Sequence, residues 1–266
     1  RRPMPRAAAR ALRWGGFGGP AAALIVGGLW AVTSGAAADA WTRTGEAALD
    51  ATAGLGFSVQ EVLVAGRHAT DGDLLLETLD VDRGAPILAF DPDRARDAIE
   101  ALPWVRTATV ERRLPDTVFV SLVERRPLAL WQHDGRFQVI DAEGVVLTER
   151  GLDRFDHLPM VVGGDAPENA RALLEVLDSV PAVADRVEAA IRVGQRRWNL
   201  RLDNGVTVRL PEAGLAGALA RLAAVERDDG LLDRDIRSID LRIAGRLVIR
   251  TTPVANELRL LPEENT

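Results

Sequence analysis

Hydrophobic and polar positions fall into three regimes along the chain. No charge interrupts the stretch from Trp14 to Ala38. Over 57–125 short alternating segments flank two helical patterns, and over 126–255 alternating segments dominate. As a helix, about 25 residues span roughly 37 Å, more than the ~30 Å hydrocarbon core of a bilayer. Residues 16–38 therefore read as a single transmembrane helix. Arg1, Arg2, Arg6, Arg10 and Arg13 precede it and Asp39 follows, which places the head, 1–15, in the cytoplasm and the body outside. Ala36-Ala37-Ala38 also fits a signal-peptide cleavage site, but the length of the apolar stretch favours an anchor. Gly19, Ala23, Gly27, Ala31 and Gly35 recur every fourth residue, as in close-packed membrane helices. Residues 39–56 read as a linker.

In the second regime, Val59-Gln60-Glu61-Val62-Leu63-Val64 alternates and stops at Gly66, as a strand does. Thr70, with Asp73 three positions on, marks the N-cap of a helix carrying Leu74, Leu75, Leu76 and Leu79. Asp91-Pro92 is a stronger start, a capping acid before a proline at the first helical position. It predicts a helix to Leu102 that buries Ala95, Ala98, Ile99 and Leu102, stopped by Pro103. Trp104 reads as buried. Strands over 105–112 and 117–123 meet at Leu114-Pro115-Asp116. The second is apolar on both sides and reads as central. The order is β-α-α-β-β, with two helices on one face of a three-stranded sheet.

The third regime opens at Leu128-Ala129-Leu130-Trp131. Strands over 137–140 and 145–147 flank Asp141-Ala142-Glu143-Gly144, a hairpin. A helix over 167–180 turns Ala170, Leu173, Leu174 and Leu177 inward. A strand over 187–193 follows, then a hairpin of 198–202 and 206–210 around Asp203-Asn204-Gly205, whose Asn-Gly is a strong turn signal. A second helix, 215–225, carries Leu215, Leu219 and Leu222. Strands 236–243 and 247–251 close the domain around Ala244-Gly245-Arg246, and 256–266 is a polar tail. The fold class is α+β: one transmembrane helix, a β-α-α-β-β domain and a C-terminal β domain with two flanking helices.

Composition narrows the chemistry. Hydrophobic content of 47% is enough for real cores, and with no Cys, disulfides and thiol chemistry are excluded. All 33 basic residues are Arg, a mark of genomic base composition. Beyond residue 13, 28 Arg face 39 acids, so the body is a poor nucleic-acid binder. His68, His133 and His157 lie far apart with no ligand spacing. No Ser sits in GxSxG, and there is no P-loop. Gly16-Phe17-Gly18-Gly19-Pro20-Ala21 matches GxGxxA but lacks the βαβ setting of a dinucleotide site. No residue reads as catalytic or metal-binding.

Several motifs recur in a set order: Val62-Leu63-Val64-Ala65-Gly66, Leu102-Pro103-Trp104-Val105, Arg113-Leu114-Pro115-Asp116, Glu124-Arg125-Arg126-Pro127 with Trp131, Asp141-Ala142-Glu143-Gly144, Trp198-x-Leu200-x-Leu202-x-Asn204-Gly205 and Ile239-Asp240-Leu241-Arg242. Through them the chain resembles the FtsQ/DivIB family of bacterial cell-division proteins over nearly all of 24–254. The resemblance implies a POTRA domain at 57–125 and a β domain at 126–255. It implies an essential, non-enzymatic scaffold in the inner membrane at the division septum. Such proteins bind FtsB and FtsL, with FtsK and FtsW as further partners. They link early and late division proteins upstream of septal peptidoglycan synthesis, without cofactor, nucleic acid or small-molecule substrate. A partner strand is expected at the C-terminal edge, at Leu247, Val248, Ile249, Arg250 and Thr251. Ile243 and Gly245 would lie at its turn, and Arg196 would meet a partner acid. That turn departs from family members with an aromatic residue and a longer loop. The strand after Leu-Pro-Trp-Val is implied in recruitment, through Thr107, Val110 and Arg112. Other readings are a POTRA-bearing binder of outer-membrane assembly or secretion, or a cell-wall hydrolase. The former carry a β-barrel, for which about 140 residues after the first domain leave no room.

Overall fold

The computed structural model describes residue 45 and residues 47–251. The expected head, transmembrane helix and polar tail lie outside the described residues, as does the start of the linker. Residues 47–54 of that linker are helical. Among the described residues, no helix is long and apolar enough to cross a membrane. The chain packs as two compact units. One contains Asp71–Ile99 and Ala108–Leu122 with the segment ending at Gly66, and the other contains Arg67–Thr70, Glu100–Thr107 and the chain from Val123.

The expected β-α-α-β-β order is present as β1 (Glu61–Ala65), α1 (Gly72–Leu79), α2 (Pro92–Glu100), β2 (Val105–Arg113) and β3 (Thr117–Glu124). The sheet order is β1-β3-β2, so β3 is central as its two-sided apolar pattern predicts. β1 runs parallel to β3, with Leu63 beside Phe119. Val118, Val120 and Leu122 are buried with Leu75 and Leu79 of α1 and Ala95 and Ile99 of α2, so the helices cover one face. Asp91 caps α2 as expected, accepting the N–H of Asp93 at 3.0 Å and of Arg94 at 3.2 Å.

Three local expectations are corrected. The cap of α1 is Asp71, not Thr70: its Oδ1 accepts from the Asp73 and Leu74 amides at 2.9 and 3.3 Å. A carboxylate suits the positive end of a helix better than a hydroxyl. Thr70 is instead buried, and its N–H and that of Ala69 each donate to the Glu124 carboxylate at 2.8 Å. Burial pushes the Glu124 carboxyl up, but the hydrogen bonds from Thr70 and Ala69 outweigh it and hold it below the usual range. Helix α2 stops at Glu100, leaving Ala98 and Leu102 half-buried. Trp104 is half-buried too, with its ring centroid 6.2 Å from that of Phe155.

The second sheet has nine strands in the order β12-β11-β10-β9-β8-β7-β4-β5-β6. Its strands are β4 (Pro127–His133), β5 (Arg136–Asp141), β6 (Val146–Thr148), β7 (Met160–Val162), β8 (Val187–Val193), β9 (Arg197–Leu202), β10 (Thr207–Arg209), β11 (Ile236–Asp240) and β12 (Val248–Thr251). Its helices are α3 (Ala166–Asp178), α4 (Pro181–Ala184) and α5 (Leu215–Asp229). The hairpins form as expected, β5–β6 and β9–β10 both antiparallel. Strand β7 escapes sequence reading because three residues carry no period. It pairs parallel with both β4 and β8, and β10 pairs parallel with β11. Parallel neighbours need long crossovers, usually helical. That explains the two flanking helices: α3, followed by α4, links β7 to β8, and α5 links β10 to β11.

Cross-strand register assembles the core. Trp131, Val161, Ala190, Leu200, Val208, Ile239 and Ile249 stand side by side on β4, β7, β8, β9, β10, β11 and β12. From α3, Ala170, Leu173, Leu174 and Leu177 pack into the same cluster, as do Ala218, Leu219 and Leu222 from α5. Each buried Leu of this cluster contributes about 1.5–3 kcal/mol relative to an exposed one. The row begins at half-buried Trp131 and ends at Ile249, which is 41% exposed.

Candidate functional site

Five of the expected partner-binding residues form one end of the large sheet. Among the described residues, β12 is the terminal strand and pairs only with β11, antiparallel, with Val248 opposite Asp240, Ile249 opposite Ile239 and Arg250 opposite Ser238. Consecutive residues of a strand send their backbone N–H and C=O to opposite sides. Alternate residues of β12 therefore aim theirs away from β11, where no described strand receives them. Val248 and Ile249 are 44% and 41% exposed, and Arg250 and Thr251 are exposed as well. Leu247 differs: it is half-buried and packs against the core cluster, so it anchors the strand rather than facing outward.

The turn into β12 follows from one acid. β11 ends at Asp240, not at Ile243 as the alternation suggests. The Asp240 carboxylate accepts the Arg242 backbone N–H at 3.0 Å and its guanidinium at 2.6–3.0 Å. Such a local bond competes with the strand ladder and turns the chain out of it. The Arg242 guanidinium holds the Asp240 carboxyl below its usual range, against a smaller upward push from burial. Ile243 thus leaves the sheet and is 53% exposed. Its carbonyl accepts the Arg246 N–H at 3.1 Å. Gly245 has φ +74, a conformation L side chains rarely adopt, and nothing crowds it.

Arg196 sits apart from this group. It is exposed in the turn Gly194-Gln195-Arg196 between β8 and β9. Strand directions bring that turn to the same end of the sheet as the β11–β12 turn. β9 and β12 are three strands apart, about 14 Å at ~4.8 Å per strand. One ligand reaches both only by spanning that width.

The recruitment residues lie on β2, an edge of the three-stranded sheet. Thr107 and Arg112 are exposed and Val110 is half-buried. Odd and even positions point oppositely, so Thr107 does not share a side with Val110 and Arg112. The Arg112 guanidinium is engaged by the Leu88 carbonyl at 3.1 Å. Arg106, Glu111, Arg112 and Arg113 line this edge with charge, the usual guard against strand addition. β12 carries a single charge, Arg250, beside the exposed Val248 and Ile249. Sequence reasoning also gave no role to Asp240 and Arg209 near the edge, since only cross-strand register brings them there.

The three histidines stay separate. His133 stacks on Trp131 at 5.8 Å, with Nε2 3.3 Å from an Asp134 carboxylate oxygen. Among the described residues, no group of three or more His, Asp or Glu side chains gathers to hold a metal.

Residues 57–125 match the family model of the FtsQ-type POTRA domain, and residues 129–242 match that of the C-terminal region of cell division protein FtsQ/DivIB. The chain is 40% identical over 204 residues to the cell division protein FtsQ of Bradyrhizobium diazoefficiens, covering 77% of this chain and 60% of that one. It is 35% identical over 239 residues to that of Rhizobium meliloti, covering 90% of this chain and 75% of the relative. With that of Caulobacter vibrioides it shares 38% over 198 residues, 74% of this chain and 66% of the relative. The chain thus spans about three fifths to three quarters of these relatives' length. Both family models fit in sequence order, and the relatives carry the same name, so the chain belongs to the FtsQ/DivIB family of cell division proteins.

Proposed function

We propose that this protein is a non-enzymatic scaffold of the division machinery that captures FtsB and FtsL by strand addition to β12. It would sit in the inner membrane by its first 38 residues, with its body outside the cytoplasm and concentrated at the septum. There it would link early and late division proteins upstream of septal peptidoglycan synthesis. The observation that carries this reading is the open edge of β12, with unpaired backbone groups and two exposed apolar side chains. An extended segment completes such an edge by main-chain hydrogen bonds, while side-chain pockets give specificity. Recruitment through Thr107, Val110 and Arg112 of β2, and engagement of FtsK and FtsW, belong to the same proposal.

Proline removes a backbone donor. Because donors alternate along β12, Val248→Pro and Ile249→Pro differ: one removes an outward N–H and the other an inward one. The outward variant is expected to keep its melting temperature and lose FtsB/FtsL capture at least tenfold. The inward variant is expected to lose capture and also loosen β12 from β11. Undiminished capture by both variants would exclude this edge.

A further inference from the structure

One end of the three-stranded sheet closes in an apolar tip. Glu61 stands beside Thr117, so β1 and β3 both start there, and β2 ends there by passing into β3 through Leu114-Pro115-Asp116. The segment before β1 projects past that end. It is held by the Val59 N–H donating to the Ala85 carbonyl at 2.9 Å and the Ile87 N–H to the Phe57 carbonyl at 3.0 Å. This antiparallel contact carries Leu88 past the end as well, where its carbonyl accepts the Arg112 guanidinium at 3.1 Å. Three leucines thus stand on three separate turns at one tip, Leu55 78% exposed, Leu114 57% and Leu88 38%. Gly56, Phe57, Ala89 and Pro115 beside them carry no charge. Exposed leucines scattered singly are ordinary, but a gathered set marks a contact surface. Charge begins one step behind the tip. Arg83 donates to the Gln60 carbonyl at 2.9 Å, and Arg113 pairs with Glu111 at 3.1 Å. Asp116 accepts the Thr117 hydroxyl at 3.0 Å, and Glu61 is exposed. Arginines and acids are mixed there, so only the apolar tip distinguishes this end.

We infer that this tip rests on the surface of the membrane that anchors the chain, with Leu55, Leu88 and Leu114 immersed at headgroup depth. The inference rests on the reading of residues 16–38 as a span. Six residues, 39–44, separate that span from residue 45, and the helical residues up to Gly54 lead directly into Leu55. At about 3.5 Å per extended residue and 1.5 Å per helical one, Leu55 is tethered within about 35 Å of the bilayer. The tip therefore belongs to the part of this unit that the tether holds nearest the lipid. Apolar side chains of interfacial segments enter about 5–10 Å, and arginine stems lie along the apolar surface with their charge at the headgroups. Arg83, Arg112 and Arg113 stand where such snorkelling needs them, one step behind the leucines. A lipid surface suits this end better than a polypeptide. Three turns form a blunt knob, without the groove that takes a helix or the open backbone that takes a strand. Because acids and arginines are mixed behind the tip, apolar immersion rather than attraction to anionic lipid drives the contact.

The chain has no Cys, so one introduced cysteine can carry a reporter. The test reconstitutes the full chain in vesicles of phosphatidylethanolamine and phosphatidylglycerol. The environment-sensitive dye NBD is placed in turn at Leu55→Cys, Leu88→Cys and Leu114→Cys. Ala65→Cys, exposed at the far end of β1, is the control. Each tip reporter is expected to emit to the blue of the control. Each should be quenched by a nitroxide at headgroup depth more than by one at the bilayer centre, and the control by neither. The pattern should persist near 1 M salt, which screens charge but not apolar contact. Leu55→Ser with Leu114→Ser should return the Leu88 reporter to the colour of the control and remove its quenching, with the melting temperature unchanged. Tip reporters that match the control in vesicle-bound protein would refute the inference alone. Protein that fails to float with the vesicles would overturn the anchor reading and the inference with it. A blue shift without quenching from any depth would give the tip to a protein, a second copy included, and overturn the inference.

Discussion

Replacing Arg125 by methionine removes one half of a buried ion pair while keeping much of its aliphatic bulk. The Arg125 guanidinium donates to the Asp141 carboxylate at 2.8 Å, and the two side chains are 19% and 1% exposed. Asp141 also accepts the N–H of Val145 at 2.8 Å and of Glu143 at 3.0 Å. Burial pushes the Asp141 carboxyl up, but Arg125 and these amides outweigh it and hold it below the usual range. Removing one partner of a buried pair costs about 3–5 kcal/mol. Two remaining amide donors and the partial exposure of Arg125 put this case at the lower end, about 3 kcal/mol. In a domain of this size that lowers the melting temperature by about 10 °C. Adding Asp141→Asn removes the stranded charge and should recover more than half of the loss. A carboxyl depressed in the folded state contributes stability above its unfolded pKa, near 4, and loses it as pH falls through the folded value. The Arg125→Met penalty should therefore be full at pH 7 and shrink below about pH 4. Thermal melts followed by circular dichroism across this range measure all three effects. A shift under 2 °C at pH 7, or a double variant as unstable as the summed singles, would refute the reasoning.

Two further substitutions probe the packing. Leu222→Ala, at a fully buried position of α5, should cost about 2–5 kcal/mol in urea unfolding, and a loss below 1 kcal/mol would mean the helix is not seated as described. Gly66 has φ +79, and an added Cβ would lie 2.1 Å from the Leu122 carbonyl oxygen, so Gly66→Ala should leave little folded protein in a solubility and melting assay, whereas near-native stability would contradict that close approach.

Much of this architecture is legible in the residue pattern because its signals are local. Asp91-Pro92 announces α2, Asn204-Gly205 announces the β9–β10 hairpin, and the apolar run over β3 announces a central strand. The misses are non-local. β7 consists of Met160, Val161 and Val162, and only its two neighbours make it a strand. The parallel pairing of β10 with β11 is invisible to reasoning from hairpins. Thr70 lost the cap to Asp71, whose carboxylate accepts the first free amides of the helix, while the Thr70 amide is held by Glu124, 54 positions away. The candidate edge was legible as a last strand after a turn, but its neighbours across the sheet were not. Arg201 and Arg250 are 49 positions apart in sequence and share a row only through two intervening strands.

The strand order has a consequence for biogenesis. From β7 onward, each new strand of the chain is laid on the outer side of the one before, β7 to β8 to β9 and so to β12. The sheet therefore advances in one direction as the polypeptide emerges, and its final rung is the proposed docking edge. β12 has a place only once β11 is set, and β11 only once α5 has returned the chain to lie beside β10. A truncated or stalled chain offers no such rung. Docking there would admit to the division machinery only copies in which β12 has been laid beside β11.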